Sequence, residues 1–454
     1  MTAPRVAHAE ALLVVEADTG KVLQAENATY PWYPASITKV MTAYVTLKAV
    51  KEGRLSLDTV LTVSPVAASQ APSKMGFRAG IQVTVDNALK MMMVKSANDM
   101  AVVLAEGVGG SVEGFSEMMN QTARRLGMTQ TTYVNPNGLP AEGQVTSARD
   151  LAMLARAVIR DVPEYEYFMQ IPSIRYGRRV TQNFNRLIGR YPGADGFKTG
   201  FICASGYNLV ASATRNGKRL IAVVLGAPSG QARAVRAAQL LERGFGNNGL
   251  GWLRPALGTV DNLVPVDASP PNLRDEMCSG KRKRPASDDD GELVAANGAS
   301  GETAVAFFTA GLQQPMARPS ELIAAAAAPS EPVLVYTGPT KSGPALIAAI
   351  AADAQLQTPA KRGKKSRIAA KKHETAAAPK AEANAKPASK LPATQHANAK
   401  PAAVVSPVAA AKPAAVAKPA AATEKKPPAS EKSMPKPAKP KAAAKPKGET
   451  KPAG

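Results

Sequence analysis

The pattern of apolar and polar positions at the start of the chain predicts a β-hairpin followed by a buried helix. Residues 11–23 contain two apolar runs on either side of an Asp-Thr-Gly turn, which is the arrangement of a hairpin. From residue 34 onwards, apolar residues recur at helical spacing. Because such a helix is apolar on most of its surface, we expect it to lie in the core against the sheet, with Ser36 in its first turn.

The same pattern predicts a helical lobe and then three more strands. Between about residues 85 and 165, strongly apolar helical stretches lie on either side of a short connection near residue 96. Between about residues 194 and 226, Asn216-Gly217 separates two apolar runs, which indicates a hairpin. Together these elements predict an α+β fold: a five-stranded antiparallel sheet, made of the N-terminal hairpin and three later strands, with helices on both faces.

Composition divides the chain into three parts. Residues 1–255 hold most of the aromatic residues and are expected to form one compact domain. Residues 256–358 mix Pro, Gly and Ala with a block of charges, and we expect a poorly structured connector. Residues 359–454 consist mainly of Ala, Lys and Pro, and no aromatic residue follows Tyr336. Without large apolar side chains nothing offsets the entropy of ordering, so this part is expected to be a disordered tail.

The positive charge of the chain lies mainly in this tail. Residues 361–454 contain 22 Lys and Arg against 5 Asp and Glu, a net +17 of the chain's +22. The remaining body, at about +5, requires no polyanionic partner. The tail is expected to lie along an anionic wall polymer or a membrane surface. Nucleic-acid binding is the alternative from another class of function, but the tail has no aromatic residue for base stacking and this alternative leaves the ordered half unexplained.

The cysteine count and the hydropathy exclude several other classes of protein. Cys203 and Cys278 are the only cysteines, too few for a thiolate metal cluster or a disulfide scaffold, and we expect Cys203 to be a small buried residue. No apolar run approaches the roughly 18 residues of a membrane span. The sequence therefore predicts no metal, no cofactor and no transmembrane segment.

Three short strings in the first 200 residues carry candidate chemistry. They are Ser-x-x-Lys at Ser36–Lys39, Ser-x-Asn at Ser96–Asn98 and Lys-Thr-Gly at Lys198–Gly200. The first opens the predicted core helix, and the second lies between two core helices. The third lies on a strand edge, where backbone groups can receive an extended peptide. Each string alone arises easily by chance, but their order and placement predict one cleft.

The positions of the histidines restrict the chemistry of this cleft. The chain contains only His8, His373 and His396, at the extreme N-terminus and in the tail, so a Ser-His-Asp triad is excluded. Ser36 is the candidate nucleophile, and Lys39, on the same helix face, is the candidate base. A lysine accepts a proton when desolvation or a nearby cation disfavours its charged form, and the sequence offers Lys198 as that cation.

The three strings in this order are the signature set of penicillin-recognising serine enzymes. Their surroundings narrow the resemblance through Tyr33-Pro34-Ala35, Lys95 and Asp99 around the second string, Asn135–Leu139, Asp195–Phe197 and Gly206–Ala213. Over roughly residues 8 to 250 the chain resembles the D-alanyl-D-alanine carboxypeptidase family of low-molecular-mass penicillin-binding proteins. The resemblance implies a serine β-lactamase/transpeptidase-like fold, and it does not extend to the last 200 residues.

The resemblance implies roles in forming an acyl-enzyme. Ser36 would attack the carbonyl between the two D-alanines of a peptidoglycan pentapeptide stem, and Lys39 would accept its proton. The backbone N–H groups of Ser36 and Phe201 would form the oxyanion hole, and Gly200 would let the peptide approach the strand. β-Lactams would acylate Ser36 for the same reason.

Further roles concern the leaving group and the terminal carboxylate. Ser96 would relay a proton to the departing D-alanine with help from Lys198, and Asn98 would hold the substrate amide. Thr199 would contact the terminal carboxylate, with Arg233 as a second candidate contact. The expected partner is therefore a muropeptide.

Two alternatives use the same catalytic residues. A muropeptide DD-endopeptidase differs by its substrate, so the sequence separates it poorly. A β-lactamase shares the three strings, but no Glu-x-x-Leu-Asn segment follows Ser96 to supply a deacylating carboxylate. The resemblance also implies a periplasmic or cell-envelope location. Because no export signal is visible before the first strand, which begins near Ala11, we expect the true start of the protein to lie upstream.

Overall fold

A computed structural model describes residues 10–246, 257–279 and 318–356. Its strands are β1 Ala11–Glu16, β2 Val22–Glu26, β3 Val60–Thr62, β4 Gln82–Thr84, β5 Ser173–Tyr176, β6 Arg179–Gln182, β7 Ala194–Gly196, β8 Thr199–Ile202, β9 Gly206–Arg215, β10 Lys218–Ala227 and β11 Val333–Val335. Its helices are α1 Thr38–Lys51, α2 Pro65–Ser69, α3 Val85–Val94, α4 Asn98–Gly109, α5 Val112–Arg125, α6 Ala148–Asp161, α7 Tyr167–Gln170, α8 Gly230–Phe245, α9 Arg274–Cys278, α10 Pro319–Ala324 and α11 Gly343–Leu356.

The central sheet has the strand order β2-β1-β10-β9-β7, and β8 also pairs with β9. Strands β7 and β8 lie one after the other along β9, so six strand segments occupy five positions. All pairings in this sheet are antiparallel. The predicted antiparallel sheet, which joins the N-terminal hairpin to the strands after residue 194, is confirmed.

Alternate residues of the central strands build a core on each face of the sheet. Leu12 and Val14 of β1 pack with α8 on one face, whereas Leu13 and Val15 pack with the helical lobe on the other. Helix α8 contacts β10, β9 and β1, and α6 contacts β10 and β1 from the opposite face. The predicted helices on both faces are therefore confirmed.

Helix α1 differs from the expectation that it packs directly on the sheet. It contacts α3, α4, α5 and α6, while the short 3₁₀ turn that precedes it, Ala35–Ile37, contacts β8 and β9. The reason is the composition of α1, which is buried on nearly all sides and therefore suits the centre of the helical lobe. Ser36 consequently lies at the junction of lobe and sheet.

The described parts of residues 256–358 do not match the expected poorly structured connector. Residues 257–279 include α9, and residues 318–356 form α10, β11 and α11 on the surface of the main body. Strand β11 pairs with β5, and Ile323 of α10 is buried against α8. Strand β11 and helix α10 are too short to show a periodic pattern, and α11 is rich in alanine. Such elements depend on docking against a larger body for their stability. The expected disordered tail, residues 359–454, lies outside the described residues.

A disulfide bond corrects the expectation for the two cysteines. Cys203 and Cys278 are bonded, with their Cα atoms 5.7 Å apart, so Cys203 is not merely a small buried residue. The bond joins the turn after β8 to the end of α9 across 75 positions of sequence. Pairing of distant cysteines depends on the tertiary fold, which a single sequence does not reveal.

Among the helices in the described ranges, none combines the length and the apolar character that crossing a bilayer requires.

Candidate active site

The turn that carries Ser36 is held in an uncommon backbone conformation. Ala35 has a φ of 48°, in the left-handed region that residues other than glycine rarely adopt. Asn208 supports this turn from β9, because its Nδ2 donates to the Tyr33 carbonyl at 3.0 Å. Gly138 packs so closely on the other side that a Cβ there would overlap the Ala35 carbonyl. These contacts fix the position of the Ser36 backbone.

Lys39 lies fully buried beside Ser36, with three oxygen atoms around its amine. Its Nζ is 2.9 Å from Ser36 Oγ, 2.7 Å from Asn98 Oδ1 and 2.6 Å from the Asn137 carbonyl oxygen. Asn98 Oδ1 and the Asn137 carbonyl can only accept hydrogen bonds, whereas a neutral amine has two N–H groups and one lone pair. In its neutral form, Lys39 therefore donates to those two oxygens and turns its lone pair to the Ser36 hydroxyl.

The second string connects α3 to α4 and is tied to a neighbouring loop. Asn98 Nδ2 donates to the Ala71 carbonyl at 2.9 Å, which fixes the amide so that Oδ1 faces Lys39. The Asn98 backbone N–H donates to the Ser73 carbonyl at 2.8 Å, and the Ser73 hydroxyl donates to the Lys95 carbonyl at 2.8 Å. The orientation of Asn98 thus depends on the loop that contains residues 71 and 73.

The third string lies at the start of β8 on the opposite side of Ser36. A Cβ on Gly200 would lie 2.9 Å from the Ser36 nitrogen and 3.0 Å from the Ile37 nitrogen, so glycine permits the strand to approach the turn that carries Ser36. Lys198 is buried, and its Nζ donates to the Thr199 carbonyl at 3.2 Å. Thr199 is also buried, and in the part of the chain that the structure covers its Oγ1 has no hydrogen-bond partner.

Uncommon backbone angles occur at all three strings. Besides Ala35, the residues Ser96 and Phe197 have positive φ values of 60° and 76°. Such conformations cost of the order of 1–3 kcal/mol each and persist only where the surroundings enforce them. These three adjoin or belong to the three strings, whereas the other described non-glycine residues with positive φ, Asn27 and Asn216, are asparagines, which adopt this conformation more readily.

A small cleft of about 50 Å³ opens between the helical lobe and β8. It joins Ser36 to the second string and to the strand that carries the third. Its lining residues are Ser36, Pro72, Ser73, Ser96, Asn98, Gly138, Leu139, Phe184, Phe201 and Ile202. The structure therefore brings together four predicted site residues in one cleft, Ser36, Ser96, Asn98 and Phe201. Lys39 is hydrogen-bonded to Ser36 but does not itself line the cleft.

Arg233 lies behind the strand side of this cleft. It is buried in α8, and its guanidinium donates to the carbonyls of Asn208 and Phe184, both at 3.3 Å. Asn208 is the β9 partner of Gly200, and Phe184 lines the cleft. The guanidinium also lies 5.6 Å from the centre of the Tyr207 ring. Arg233 is thus adjacent to the cleft, where its described contacts are with backbone carbonyls and an aromatic ring.

Sequence reasoning did not assign roles to three residues that shape the site. The Asn137 carbonyl accepts from Lys39, Asn208 holds the turn that carries Ser36, and Asp99 holds the neighbouring loop. Asp99 is fully buried, and burial raises the pKa of its carboxyl, against the lowering effect of backbone N–H donors from Gly76, Met75 and Met100. Their only sequence signal was their position in or beside the strings that carry the family resemblance.

Comparison with known proteins identifies relatives of the first half of the chain. The family model described as D-alanyl-D-alanine carboxypeptidase matches residues 1–229. The D-alanyl-D-alanine carboxypeptidase DacC of Escherichia coli (strain K12) is 40% identical over 244 residues, which cover 52% of this chain and 61% of that protein. DacF of Bacillus subtilis (strain 168) is 36% identical over 245 residues, covering 52% and 62%. The chain thus spans about three fifths of the length of these relatives.

Solved structures give the same assignment for the fold. The crystal structure of penicillin binding protein 5 from Haemophilus influenzae has a TM-score of 0.51 and 35% identity, covering 54% of this chain and 73% of that one. The D-alanyl-D-alanine carboxypeptidase DacD from Francisella tularensis has a TM-score of 0.51 and 32% identity over the same shares. Since the family model matches just over half of the 454 residues, this chain belongs to the D-alanyl-D-alanine carboxypeptidase family.

Proposed function

We propose that the chain is a serine-type D-Ala-D-Ala carboxypeptidase, which removes the terminal D-alanine from peptidoglycan pentapeptide stems through an acyl-enzyme on Ser36. The contact of 2.9 Å between Lys39 Nζ and Ser36 Oγ carries this proposal. It joins a nucleophile to a buried base in a cleft that holds no histidine among its lining residues. Membership of the family supports the choice of substrate.

Acylation begins with the neutral form of Lys39. Its lone pair takes the Ser36 hydroxyl proton, and Oγ bonds to the carbonyl carbon between the two D-alanines. The resulting oxyanion accepts hydrogen bonds from the backbone N–H groups of Ser36 and Phe201. The close approach of Gly200 to the Ser36 nitrogen supports this pairing, because it brings β8 beside the nucleophile's turn.

Collapse of the tetrahedral intermediate breaks the bond between the carbonyl carbon and the D-alanine nitrogen. The proton held by Lys39 passes through the Ser96 hydroxyl to that nitrogen, and Lys198 assists this transfer electrostatically. Asn98 holds the substrate amide while its Oδ1 keeps Lys39 in place. Water then attacks the ester and releases the shortened stem and Ser36.

The terminal carboxylate of the stem is the ligand that fits the strand side. The buried Thr199 hydroxyl lacks a partner within the described residues and can donate to a carboxylate oxygen. Arg233 of α8, which bonds to the Asn208 carbonyl of β9, supplies positive charge near that position and is a second candidate to contact the carboxylate.

The disulfide supports action outside the cytoplasm. Bonds such as that between Cys203 and Cys278 form and persist in oxidising compartments, including the bacterial periplasm. Peptidoglycan is assembled there too. We therefore place the protein in the periplasm or cell envelope.

Mass spectrometry after exposure to a penicillin tests the nucleophile. We expect one covalent adduct, mapped to the peptide that contains Ser36, and none in a Ser36→Ala variant. An adduct on another residue, or none in a folded wild-type preparation, would refute the mechanism.

Product analysis tests the substrate. We expect D-alanine to be released from a pentapeptide stem, with cross-linked dimers cleaved slowly. Preferential cleavage of dimers would instead identify an endopeptidase. Rapid turnover of the penicillin, with no lasting adduct, would identify a β-lactamase.

A further inference from the structure

The last described segment of the chain docks beside the loop that forms part of the cleft. We call residues 70–77 the cleft loop, because Pro72 and Ser73 line the cleft. We propose that residues 333–356, which lie beyond the matched family domain, hold the cleft loop in its catalytic position through Asp353, Tyr176 and Phe77. This inference rests on the proposed function, and it assigns positioning roles to residues distant from Ser36.

The docking of this segment is specific along its length. Strand β11 pairs in parallel with β5, with Val333 opposite Ile174 and Val335 opposite Tyr176. Beyond β11, the Tyr336 N–H donates to Asn87 Oδ1 at 3.3 Å, and the Gly338 N–H donates to the Gln82 carbonyl at 2.6 Å. Helix α11 follows in the chain and also contacts β5. The segment therefore occupies one defined site on the main body.

Tyr176 connects this segment to the cleft loop. Its hydroxyl donates to Asp353 Oδ1 of α11 at 3.1 Å, and its ring meets the Phe77 ring edge-on at a centroid distance of 5.2 Å. Asp353 is buried and also accepts from the Thr337 hydroxyl at 2.9 Å and the Thr337 N–H at 3.3 Å. Burial, together with Asp353, raises the pKa of Tyr176, so its hydroxyl remains a donor at any ordinary pH.

Phe77 is the buried apolar residue at one end of the cleft loop. The two residues before it donate from their backbones to the Asp99 carboxylate, Met75 at 3.0 Å and Gly76 at 2.8 Å. Asp99 directly follows Asn98 in the chain, so the loop is fixed to the second string at this end. A shift of Phe77 would strain these bonds.

The opposite end of the cleft loop holds Asn98 itself. The Ala71 carbonyl accepts from Asn98 Nδ2, and the Ser73 carbonyl accepts from the Asn98 N–H. These bonds orient Oδ1 toward Lys39 Nζ, 2.7 Å away. Because the loop supplies both contacts, its position determines whether Asn98 Oδ1 accepts from Lys39. That hydrogen bond in turn helps to direct the lone pair of Lys39 toward Ser36.

Single substitutions at Tyr176 and Asp353 test the proposal in the full-length protein. Tyr176→Phe removes the hydroxyl bond but keeps the ring on Phe77, and Asp353→Ala removes the acceptor. Tyr167→Phe is a matched control, because it deletes a similar bond to Asp86 of 2.9 Å that has no contact with the cleft loop. Asp353→Asn keeps the Oδ1 acceptor, so it should retain most of the acylation rate that Asp353→Ala loses.

Two measurements are required, the rate of Ser36 acylation by a fluorescent penicillin and the hydrogen exchange of the Met75 and Gly76 amides. We expect Tyr176→Phe and Asp353→Ala to slow acylation by about two- to tenfold and to speed exchange by a similar factor, as expected for one lost hydrogen bond. The melting temperature of Tyr176→Phe should match that of Tyr167→Phe.

Unchanged acylation in the Tyr176 and Asp353 variants, or an equal loss in Tyr167→Phe, would overturn the proposal. If the wild-type protein is not acylated at all, the proposed function fails. Exchange at Met75 and Gly76 then still decides whether residues 333–356 hold the cleft loop, since that measurement needs no activity.

Discussion

On the helical side of the Ser36 cleft, Lys39 Nζ lies among three oxygens at 2.6–2.9 Å, which belong to Ser36, Asn98 and Asn137. On the strand side, the buried Thr199 hydroxyl has no partner among the described residues, and Gly200 leaves the strand open beside the nucleophile's turn. The two sides also differ in support, since the helical side depends on side-chain hydrogen bonds and the strand side on the β8–β9 ladder.

The difference indicates a division of labour. In the proposed mechanism, the helical side holds Lys39 in contact with Ser36 before substrate arrives, so that little reorganisation is needed for the first proton transfer. The strand side keeps a buried donor whose desolvation cost is recovered only when an acceptor binds. Changes on the helical side should therefore alter the chemical step, and changes on the strand side should alter recognition.

Removing the base should have the largest effect. Lys39→Met keeps much of the side-chain volume but abolishes the proton acceptor, so we expect Ser36 acylation to slow by about a thousandfold, within the usual range for a general base. Stopped-flow measurement with a fluorescent penicillin gives the rate. Lys90→Met is the control, because Lys90 pairs with Asp86 on α3, away from the cleft, and should change the rate less than twofold. Equal acylation rates in Lys39→Met and the wild-type protein would show that Lys39 is not the base for Ser36.

Narrowing the gap between the two sides should have the second-largest effect on the acylation rate. In Gly200→Ala the new Cβ would lie 2.9 Å from the Ser36 nitrogen, so β8 or the nucleophile's turn must move. We expect acylation to slow by about a hundredfold, since misplacement of about 1 Å has effects of that size. Gly230→Ala is the matched control: its Cβ would meet ordinary contacts at 3.7 Å or more. A crystal structure of the Gly200→Ala protein with unshifted Ser36 and normal activity would contradict this view.

The parts of this arrangement that the sequence predicted are those set by local spacing. The pairing of Lys39 with Ser36 follows from their spacing of three residues, across the 3₁₀ turn and the start of α1. The sheet follows from apolar runs and an Asn-Gly turn. The hydrogen bond between Lys39 and Asn98 spans 59 positions, and the sequence predicted only that their two strings share one cleft. Periodicity reports which face of an element is buried, but not which partner buries it.

The parts that the sequence did not predict depend on distant partners. Strand β11 has only three residues, and its pairing with β5 joins segments 159 positions apart in the register. The disulfide between Cys203 and Cys278 likewise forms only because α9 returns to the turn after β8. The positive φ of Ala35 has no local signal either, since neighbours from β9 and the residue 138 turn enforce it.

Deleting the unpartnered hydroxyl on the strand side should affect recognition without cost to the fold. Thr199→Val keeps the shape of the side chain, and because the buried Oγ1 has no described partner, we expect the free energy of unfolding to stay equal or to rise. The kcat/KM for a D-Ala-D-Ala peptide should fall by about tenfold, the value of one hydrogen bond to a carboxylate. Peptide kinetics and denaturant unfolding provide both numbers.

Thr214→Val is the contrasting control for this change. Its hydroxyl donates to Asp195 at 2.7 Å on the outer part of the sheet, so its loss should lower stability slightly and leave kinetics unchanged. A stability loss in Thr199→Val as large as in Thr214→Val, with normal peptide kinetics, would mean that the Thr199 hydroxyl serves the fold and not the substrate.

The smallest effect on catalysis should come from the disulfide. A Cys203→Ser/Cys278→Ser double variant should lose about 2–4 kcal/mol of unfolding free energy, because the bond closes a long loop. Acylation should nevertheless change by less than about twofold, since β8 remains in register with β9 from Thr199 to Ile202, with Phe201 opposite Tyr207, and this ladder positions the Phe201 N–H without the disulfide. Denaturant titration and acylation kinetics on the same preparation separate the two effects. If acylation instead falls in proportion to stability, the β8–β9 ladder alone does not position the strand side, and the disulfide is needed as well.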